Sequence, residues 1–391
     1  MGFQRLAAEV WNGSFGATKR SAQIMGWGKA LPERVLTNDE LSRMLDTSDG
    51  WIRERTGIVE RRIAKEGETT ASLAIQAARS ALARAAFDAA EVDLIVVATI
   101  TPEYLFPATA CLVQDALGAS QAAAFDLSAG CTGFIYGLAV ATQGILAGAY
   151  NHALVIGAET LSRIVDWQDR RTCVLFGDGA GAVLLGASSA PGGVLTTLLG
   201  SDGSGAELLI LRAGGSRHPA TPQTTASGMH YLEMDGRKIF RFATRIIPQA
   251  TREALDRAGL PLEHLELLIP HQANRRIIEA SVQRLGLPPE RVFTNMARYG
   301  NTSAASIPIA LCEAIEAGQV RAGDHLALVG FGAGLTWGAA VIEWGRPWPV
   351  PPVARRKRLL LWLRYHWAPL RSLFRRLRRS LGALLQRMPP L

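Results

Sequence analysis

The chain has only four cysteines in 391 residues, and no two of them stand in a CxxC pair. Nothing in that pattern suggests a disulfide framework or a zinc site, so a reducing compartment is the default. Long apolar runs are also missing, so no stretch is expected to cross a membrane. Arg5 near the start is followed by Glu9 with no apolar core behind it, so no signal peptide is expected. Acidic residues are absent from Arg346 onward, where 12 Lys and Arg lie. Taking those 12 from the total of 42 leaves 30 basic against 34 acidic residues in positions 1–345, or −4. The formal net charge of +8 therefore belongs to the tail. The body is mildly acidic, and no nucleic-acid partner is expected for it.

What is present reads as α/β architecture. Residues 1–21 lack a period and form an extension. Gln23-Ile-Met-Gly-Trp-Gly reads as a short strand, Thr37-Asn-Asp-Glu as a capped helix start, Thr70 to Ala86 as an amphipathic helix and Val92 to Thr99 as an apolar strand. Ala122 to Leu127 reads as a buried strand, after which Ala129-Gly130 breaks the chain and a small-residue helix runs to Ala147. An internal repeat organises these elements: Ala81 to Val96 aligns without gaps on Ala254 to Ile269, an offset of 173 residues. The same offset carries the strand ending at Gly157 onto the one ending at Gly330. Two fused copies of one α/β unit are the economical reading, with residues 22–190 as the N-terminal half and 191–345 as the C-terminal half. Residues 187–235, rich in Gly, Ser, Thr and Pro, are expected to form loops over the body.

Three stretches carry candidate chemistry. Cys131 falls at the start of a helix, where free N–H groups and the helix dipole favour a thiolate, so a depressed pKa and a nucleophilic role are expected. The alternative is a small buried apolar residue. His271, in His-Gln-Ala-Asn, directly follows the strand Leu265–Pro270, and Asn301 opens the second-half helix in a loop related to that of Cys131 by the repeat. A loop histidine and a turn asparagine are the alternatives. Brought to one site, a thiol, an imidazole and an amide suit covalent acyl-thioester chemistry. Phe176-Gly-Asp-Gly-Ala-Gly lacks the spacing of a nucleotide loop and precedes a strand at Ala182–Leu185, so it reads as a structural turn.

Six motifs, in order, resemble the β-ketoacyl-acyl-carrier-protein synthase III family of the thiolase superfamily. They are Thr47-Ser-Asp-Gly-Trp-Ile-Arg-Glu-Arg-Thr-Gly-Ile, Ala129-Gly-Cys-Thr-Gly-Phe, Phe176-Gly-Asp-Gly-Ala-Gly-Ala, His271-Gln-Ala-Asn, Gly300-Asn-Thr-Ser-Ala-Ala-Ser and Phe331-Gly-Ala-Gly-Leu-Thr-Trp-Gly. The resemblance spans Ala22 to Trp344. It implies a thiolase-like five-layer αβαβα fold with two pseudo-twofold-related halves, a homodimer, and an initiating condensing enzyme of fatty acid biosynthesis in the cytoplasm. In that family's reaction acyl-CoA acylates the cysteine, here Cys131. Malonyl-acyl-carrier-protein then loses CO2, and the resulting carbanion attacks the thioester.

The same resemblance assigns His271 and Asn301 to the malonyl thioester carbonyl. It assigns the backbone N–H groups of Cys131 and Ala333 to the oxyanion hole. Trp51 and Arg170 would sandwich the CoA adenine, and Thr47, Arg55 and Asn274 would contact CoA or pantetheine. Phe106 would reach the partner subunit's acyl pocket, and Arg276 would dock the acyl carrier protein. No metal and no resident cofactor are implied. Ala333 departs from the family's usual glycine, and a backbone donor survives that change only where the dihedrals suit a Cβ atom. Degradative thiolases carry a second cysteine in the last glycine turn, and elongating synthases a second histidine where Asn301 stands; both are absent here. A family member in a specialised pathway using a different acyl unit, and a non-catalytic membrane-tethered scaffold, are the alternative readings.

Residues 346–391 lie beyond the family's usual end. Pro347, Pro349, Pro351 and Pro352 form a linker, and residues 355–387 interleave Leu370, Leu373, Phe374, Leu377, Leu381, Leu384 and Leu385 with arginines at helical spacing. A basic amphipathic helix on anionic lipid, with Trp362 and Trp367 at the interface, is one reading. Recruitment of the acidic carrier protein and a plain solubilising tail are the others.

Overall fold

Aliphatic and β-branched runs build the nine strands of two main sheets: β1 Ser21–Ala30, β2 Leu94–Ala98, β3 Ala123–Leu127, β4 His152–Thr160, β5 Asp178–Ser188, β6 Gly193–Ser201, β7 Leu267–Pro270, β8 His325–Gly332 and β9 Thr336–Glu343. They are joined by helices α1 Asp49–Thr56, α2 Thr70–Ala85, α3 Thr109–Leu117, α4 Gly133–Leu146, α5 Gly236–Ala258, α6 Arg275–Leu285 and α7 Ser306–Glu316. This computed structural model describes residues 20–345 together with Trp367 and Leu377. The rest of the expected 1–21 extension and of the 346–391 tail lies outside the described residues, although Ser21 belongs to β1 rather than to an extension.

The first sheet has the order β1-β5-β4-β2-β3 and the second β7-β8-β9-β6. In each, a central parallel pair (β2 with β4, β7 with β8) is extended by two antiparallel strands. The repeat is structural: β7, α7 and β8 begin 173 residues after β2, α4 and β4. The place of β3 in the second sheet is taken by a single bridge from Val292 to Leu268.

Alternation along the strands sorts the core into layers. Leu94 and Val96 of β2 face inward onto α4 and α7, which lie between the sheets, and Leu326 and Leu328 of β8 meet those helices from the other side. Ile95 and Val97 face outward onto α2 and α3. Leu268, Ala327 and Val329 face outward onto α5 and α6. The result is the five-layer αβαβα arrangement. Caps set the helix ends: Thr69 and Ser72 form a capping box at α2, and Ser48 caps α1, which stops at Gly57 with φ 81°. Among the described residues no helix is long and apolar enough to cross a membrane.

Three expectations need correction. β3 is not buried: it is the edge strand of its sheet, with Phe125 38% exposed. An apolar run reads the same whether the protein's own core or another surface covers it. Residues 187–235 are not all loop, because they supply β6, a full strand of the second sheet, and the short antiparallel pair Leu209–Leu211 and Leu232–Met234. Their Gly, Ser and Thr hid the strand pattern. Finally, β5 starts at Asp178, so Gly179 and Gly181 lie in the strand. A Cβ at Gly181 would sit 2.7 Å from the Ile309 backbone nitrogen, so these glycines let α7 pack directly on the sheet.

Candidate active site

Two buried loops meet between the halves. After β3 the chain makes a tight turn, Gly130–Thr132, and runs straight into α4. The equivalent turn, Ser303–Ala305, runs into α7. Cys131 is buried in the first turn, and Ala304 holds the equivalent place in the second. The glycine turn between β8 and β9 closes on Cys131 so tightly that a Cβ at Gly332 would lie 2.6 Å from the Cys131 backbone nitrogen. A Cβ at Gly130, whose φ is +54°, would lie 2.9 Å from the Ala333 nitrogen. The Thr336 hydroxyl pins this contact, reaching the carbonyls of Ala129 and Ala333 at 3.0 Å each. Ala333 is not among the residues with positive φ, so its Cβ costs nothing and its N–H stays beside Cys131.

His271 continues the parallel pairing of β7, its N–H donating to the Val329 carbonyl at 2.8 Å. Its Nδ1 lies 2.6 Å from the Ser306 hydroxyl at the start of α7, and its ring packs edge-on against Phe331 at 5.4 Å. Burial pulls its pKa from 6.5 down to about 3, so the imidazole is neutral at physiological pH. Gln272 clamps the loop: its amide donates to the Pro270 carbonyl at 2.7 Å and accepts from Asn295 N–H at 2.9 Å. Asn301 is set by a bridge to Phe176, with Asn301 N–H donating to the Leu175 carbonyl and Gly177 N–H to the Asn301 carbonyl. Its Oδ1 accepts from Ser303 N–H at 2.8 Å, which leaves the Nδ2 protons for the cavity.

Cys131, His271 and Asn301 line one cavity of about 120 Å³, together with Asn274 and Phe331. Cys131 also lines a second cavity of about 160 Å³, with Ile100, Leu161, Ile164, Leu232, Ser303 and Ala333. The thiol thus stands between a chamber with polar groups and an almost wholly apolar one. The expected depressed pKa is not found: burial pushes the Cys131 thiol up to about 12. Removal from water outweighs the dipole of the helix behind it.

At the surface, the Arg170 guanidinium stands 5.4 Å and that of Arg55 5.7 Å from the centre of the Trp51 ring. Arg170 also bonds the Asp46 backbone and carboxylate. The Thr47 hydroxyl is buried and, among the described residues, has no hydrogen-bond partner. Asn274 caps α6, its Oδ1 accepting from Arg276 N–H at 2.9 Å while its Nδ2 donates to the Arg55 carbonyl at 3.1 Å. Arg276 is exposed on α6. Phe106 is not brought to the site within one chain: it is 86% exposed beside Tyr104 and Leu105 and lines neither cavity. Ser306, Gln272, Ser303 and Glu159 were not picked out from the sequence. For Glu159 a signal existed, a lone carboxylate at the end of the apolar run Ala153 to Ala158. For the serines there was none.

Comparison with known proteins fits this geometry. The model of 3-oxoacyl-[acyl-carrier-protein (ACP)] synthase III matches residues 125–203, and that of its C-terminal part matches residues 255–344. The β-ketoacyl-[acyl-carrier-protein] synthase III of Symbiobacterium thermophilum is 55% identical over 327 residues, 84% of this chain and 99% of that protein. The crystal structure of 3-oxoacyl-[acyl-carrier-protein] synthase III from Aquifex aeolicus is 49% identical, covers 82% of this chain and 99% of its own, and has a TM-score of 0.77. The priming β-ketosynthase of the R1128 polyketide biosynthetic pathway is 37% identical, covers 84% and 98%, and has a TM-score of 0.79. With two matching family models, relatives matched over nearly their whole length and the same fold, this chain belongs to the β-ketoacyl-[acyl-carrier-protein] synthase III family.

Proposed function

We propose that this protein is an initiating 3-oxoacyl-acyl-carrier-protein synthase. The observation that carries the reading is the thiol of Cys131 standing between the chamber of His271 and Asn301 and a separate apolar chamber. A thioester on Cys131 would lay its acyl chain in the apolar chamber, and the malonyl thioester would enter the other. The backbone N–H groups of Cys131 and Ala333 are the oxyanion donors for the acyl group. Neutral His271 and the Asn301 amide hold the malonyl carbonyl as CO2 leaves and negative charge builds on its oxygen. A neutral imidazole that donates from Nε2 suits this better than an imidazolium, because proton transfer then does not compete with attack on the thioester.

Trp51 and Arg170 are assigned to the CoA adenine, and Thr47, Arg55 and Asn274 to the rest of CoA and its pantetheine arm. The stacked geometry of the first pair and the unpartnered Thr47 hydroxyl support this. Arg276 is assigned to carrier-protein docking. A homodimer accounts for two exposed apolar features at once, the Tyr104-Leu105-Phe106 cluster and the edge strand β3. In it Phe106 would enter the partner's acyl chamber. We infer a cytoplasmic enzyme, and assign to residues 355–387, most of which lie outside the described residues, a contact with anionic lipid.

Intact-mass spectrometry after incubation with a panel of acyl-CoAs, followed by malonyl-acyl-carrier-protein, tests the reaction. One acyl mass is expected on Cys131, discharged by the second substrate. A Cys131→Ala protein that is still acylated sinks the mechanism.

A further inference from the structure

His271 and Ser306 meet in the interior, one directly after β7 and the other opening α7, with 1% and 2% of their surfaces exposed. His271 Nδ1 and the Ser306 hydroxyl oxygen lie 2.6 Å apart. The buried, neutral imidazole carries one proton, on Nδ1 or on Nε2, and this contact decides which. If Nδ1 held it, the ring would donate to Ser306 and offer only a bare Nε2 lone pair to the cavity it lines with Cys131 and Asn301. If the hydroxyl donates, Nδ1 accepts and Nε2–H is left for a substrate oxygen.

Three features make the hydroxyl the donor. Its proton has no other acceptor among the described residues. Buried hydroxyls on other helices, those of Thr56, Thr251 and Ser281, each donate to the carbonyl four residues back. Ser306 makes no such bond among the described residues, so a donating Nδ1–H would strand the hydroxyl proton in the core. The Gln272 N–H also donates to the same oxygen, from 3.5 Å, and takes up accepting capacity there. Finally, a separation of 2.6 Å suits an O–H donor, whereas N–H donors begin at about 2.7 Å.

The repeat gives an independent sign that the pair is built for a purpose. Its offset of 173 residues carries Ala98 onto His271 and Gly133 onto Ser306. Ala98 and Gly133 are neighbours as well, since a Cβ at Gly133 would sit 3.0 Å from the Ala98 Cβ. The first half fills this contact of strand end and helix start with the two smallest residues. The second half fills it with an imidazole and a hydroxyl bonded to each other.

We propose that Ser306 is a positioning residue that donates to His271 Nδ1 and so holds the imidazole as its Nε2–H tautomer, the form able to donate to the malonyl thioester oxygen. The consequence for catalysis rests on the proposed condensation; the hydrogen bond itself does not. No proton is transferred in the step that gains. As the bond to CO2 breaks, its electron pair stays with the malonyl carbon and spreads onto the thioester carbonyl. Charge gathers on that oxygen, and Nε2–H donates a hydrogen bond to it. Acylation of Cys131 has no step through Nε2, so changing Ser306 should separate the two half-reactions.

Long-range 1H–15N spectra of full-length protein labelled at its seven histidines test the tautomer directly, with the His271 signals identified by their loss in His271→Asn. Nε2 is expected to be protonated and Nδ1 bare near neutral pH; a protonated Nδ1 overturns the proposal whatever the activity. Quenched flow with intact-mass detection then follows each half-reaction. Ser306→Ala should take the acyl group from acyl-CoA within about threefold of wild type but be discharged by malonyl-acyl-carrier-protein about tenfold more slowly. Ser306→Thr, which keeps a donor, should recover most of that loss. A Ser306→Ala protein discharged at the wild-type rate overturns the proposal, and so does an equal fall in both half-reactions, which marks a structural role only. A wild-type acyl-enzyme that malonyl-acyl-carrier-protein does not discharge sinks the proposed condensation instead, while the ring-nitrogen spectra still decide the hydrogen bond.

Discussion

The close approach of the Gly332 turn to Cys131 makes Gly332→Ala the most informative single change. The added Cβ would sit 2.6 Å from the Cys131 backbone nitrogen, where ordinary contact begins at 3.4 Å. The atom in the way is backbone, already tied through Ala129 and Thr336, so it has no rotamer to escape into. The two loops must separate by about 0.8 Å, a displacement of the size that costs on the order of 100-fold when it misplaces a reacting group. Overpacking of this kind also lowers stability, by about 1–3 kcal/mol. Ala333→Gly is the control: that position already accommodates a Cβ at a φ outside the left-handed region, and the variant should acylate within about threefold of wild type. Both are read by quenched-flow acylation with mass detection, alongside a thermal melt. If Gly332→Ala acylates as fast as the wild type, the contact between the two loops is not what builds the oxyanion site.

Further outcomes follow from burial and charge. His271 is held at about 3 against an ordinary 6.5, so the unfolded chain takes the proton first and stability falls as pH drops from 6.5 toward 3, by about 2 kcal/mol at pH 5. Urea unfolding at pH 7.5 and 5 should show that loss shrinking in His271→Asn; an unchanged loss would disprove the assignment. Arg170→Ala should raise the KM for acyl-CoA about fivefold while saturated acylation holds, and a purely kcat effect would remove Arg170 from the CoA site. Glu313, buried on α7, meets Lys29 at 3.1 Å, Asn295 at 3.0 Å and the Tyr299 hydroxyl at 2.6 Å. Glu313→Ala should cost about 3 kcal/mol by stranding these donors, and a melting temperature within a degree of wild type would contradict this. Full-length protein should float with anionic vesicles, and protein ending at Trp344 should not; equal behaviour rules out the lipid reading of residues 355–387.

How much was readable in the chain varies by element. Cys131, His271 and Asn301 each follow a strand or open a helix within a distinctive motif, and the repeat marked their loops as related. Local backbone chemistry was enough for that, since a glycine break, a strand end and a helix start are short-range features. β6 was missed because its Gly, Ser and Thr resemble a loop, and only pairing with β9 reveals it as a strand.

By itself, then, the sequence determined the two-halved α/β plan, the choice of Cys131, His271 and Asn301 as the candidate set and the basic character of the tail. These follow from periodicity, residue chemistry and an offset that survives in α4 and α7 alike. Tertiary structure decided what those side chains experience. It pushed the Cys131 thiol up where its place at a helix start predicted the reverse, left β3 exposed at an edge, and closed the Gly332 turn on Cys131. Desolvation and the meeting of loops 170 or more positions apart are properties of the packed molecule, and no local window of residues contains them.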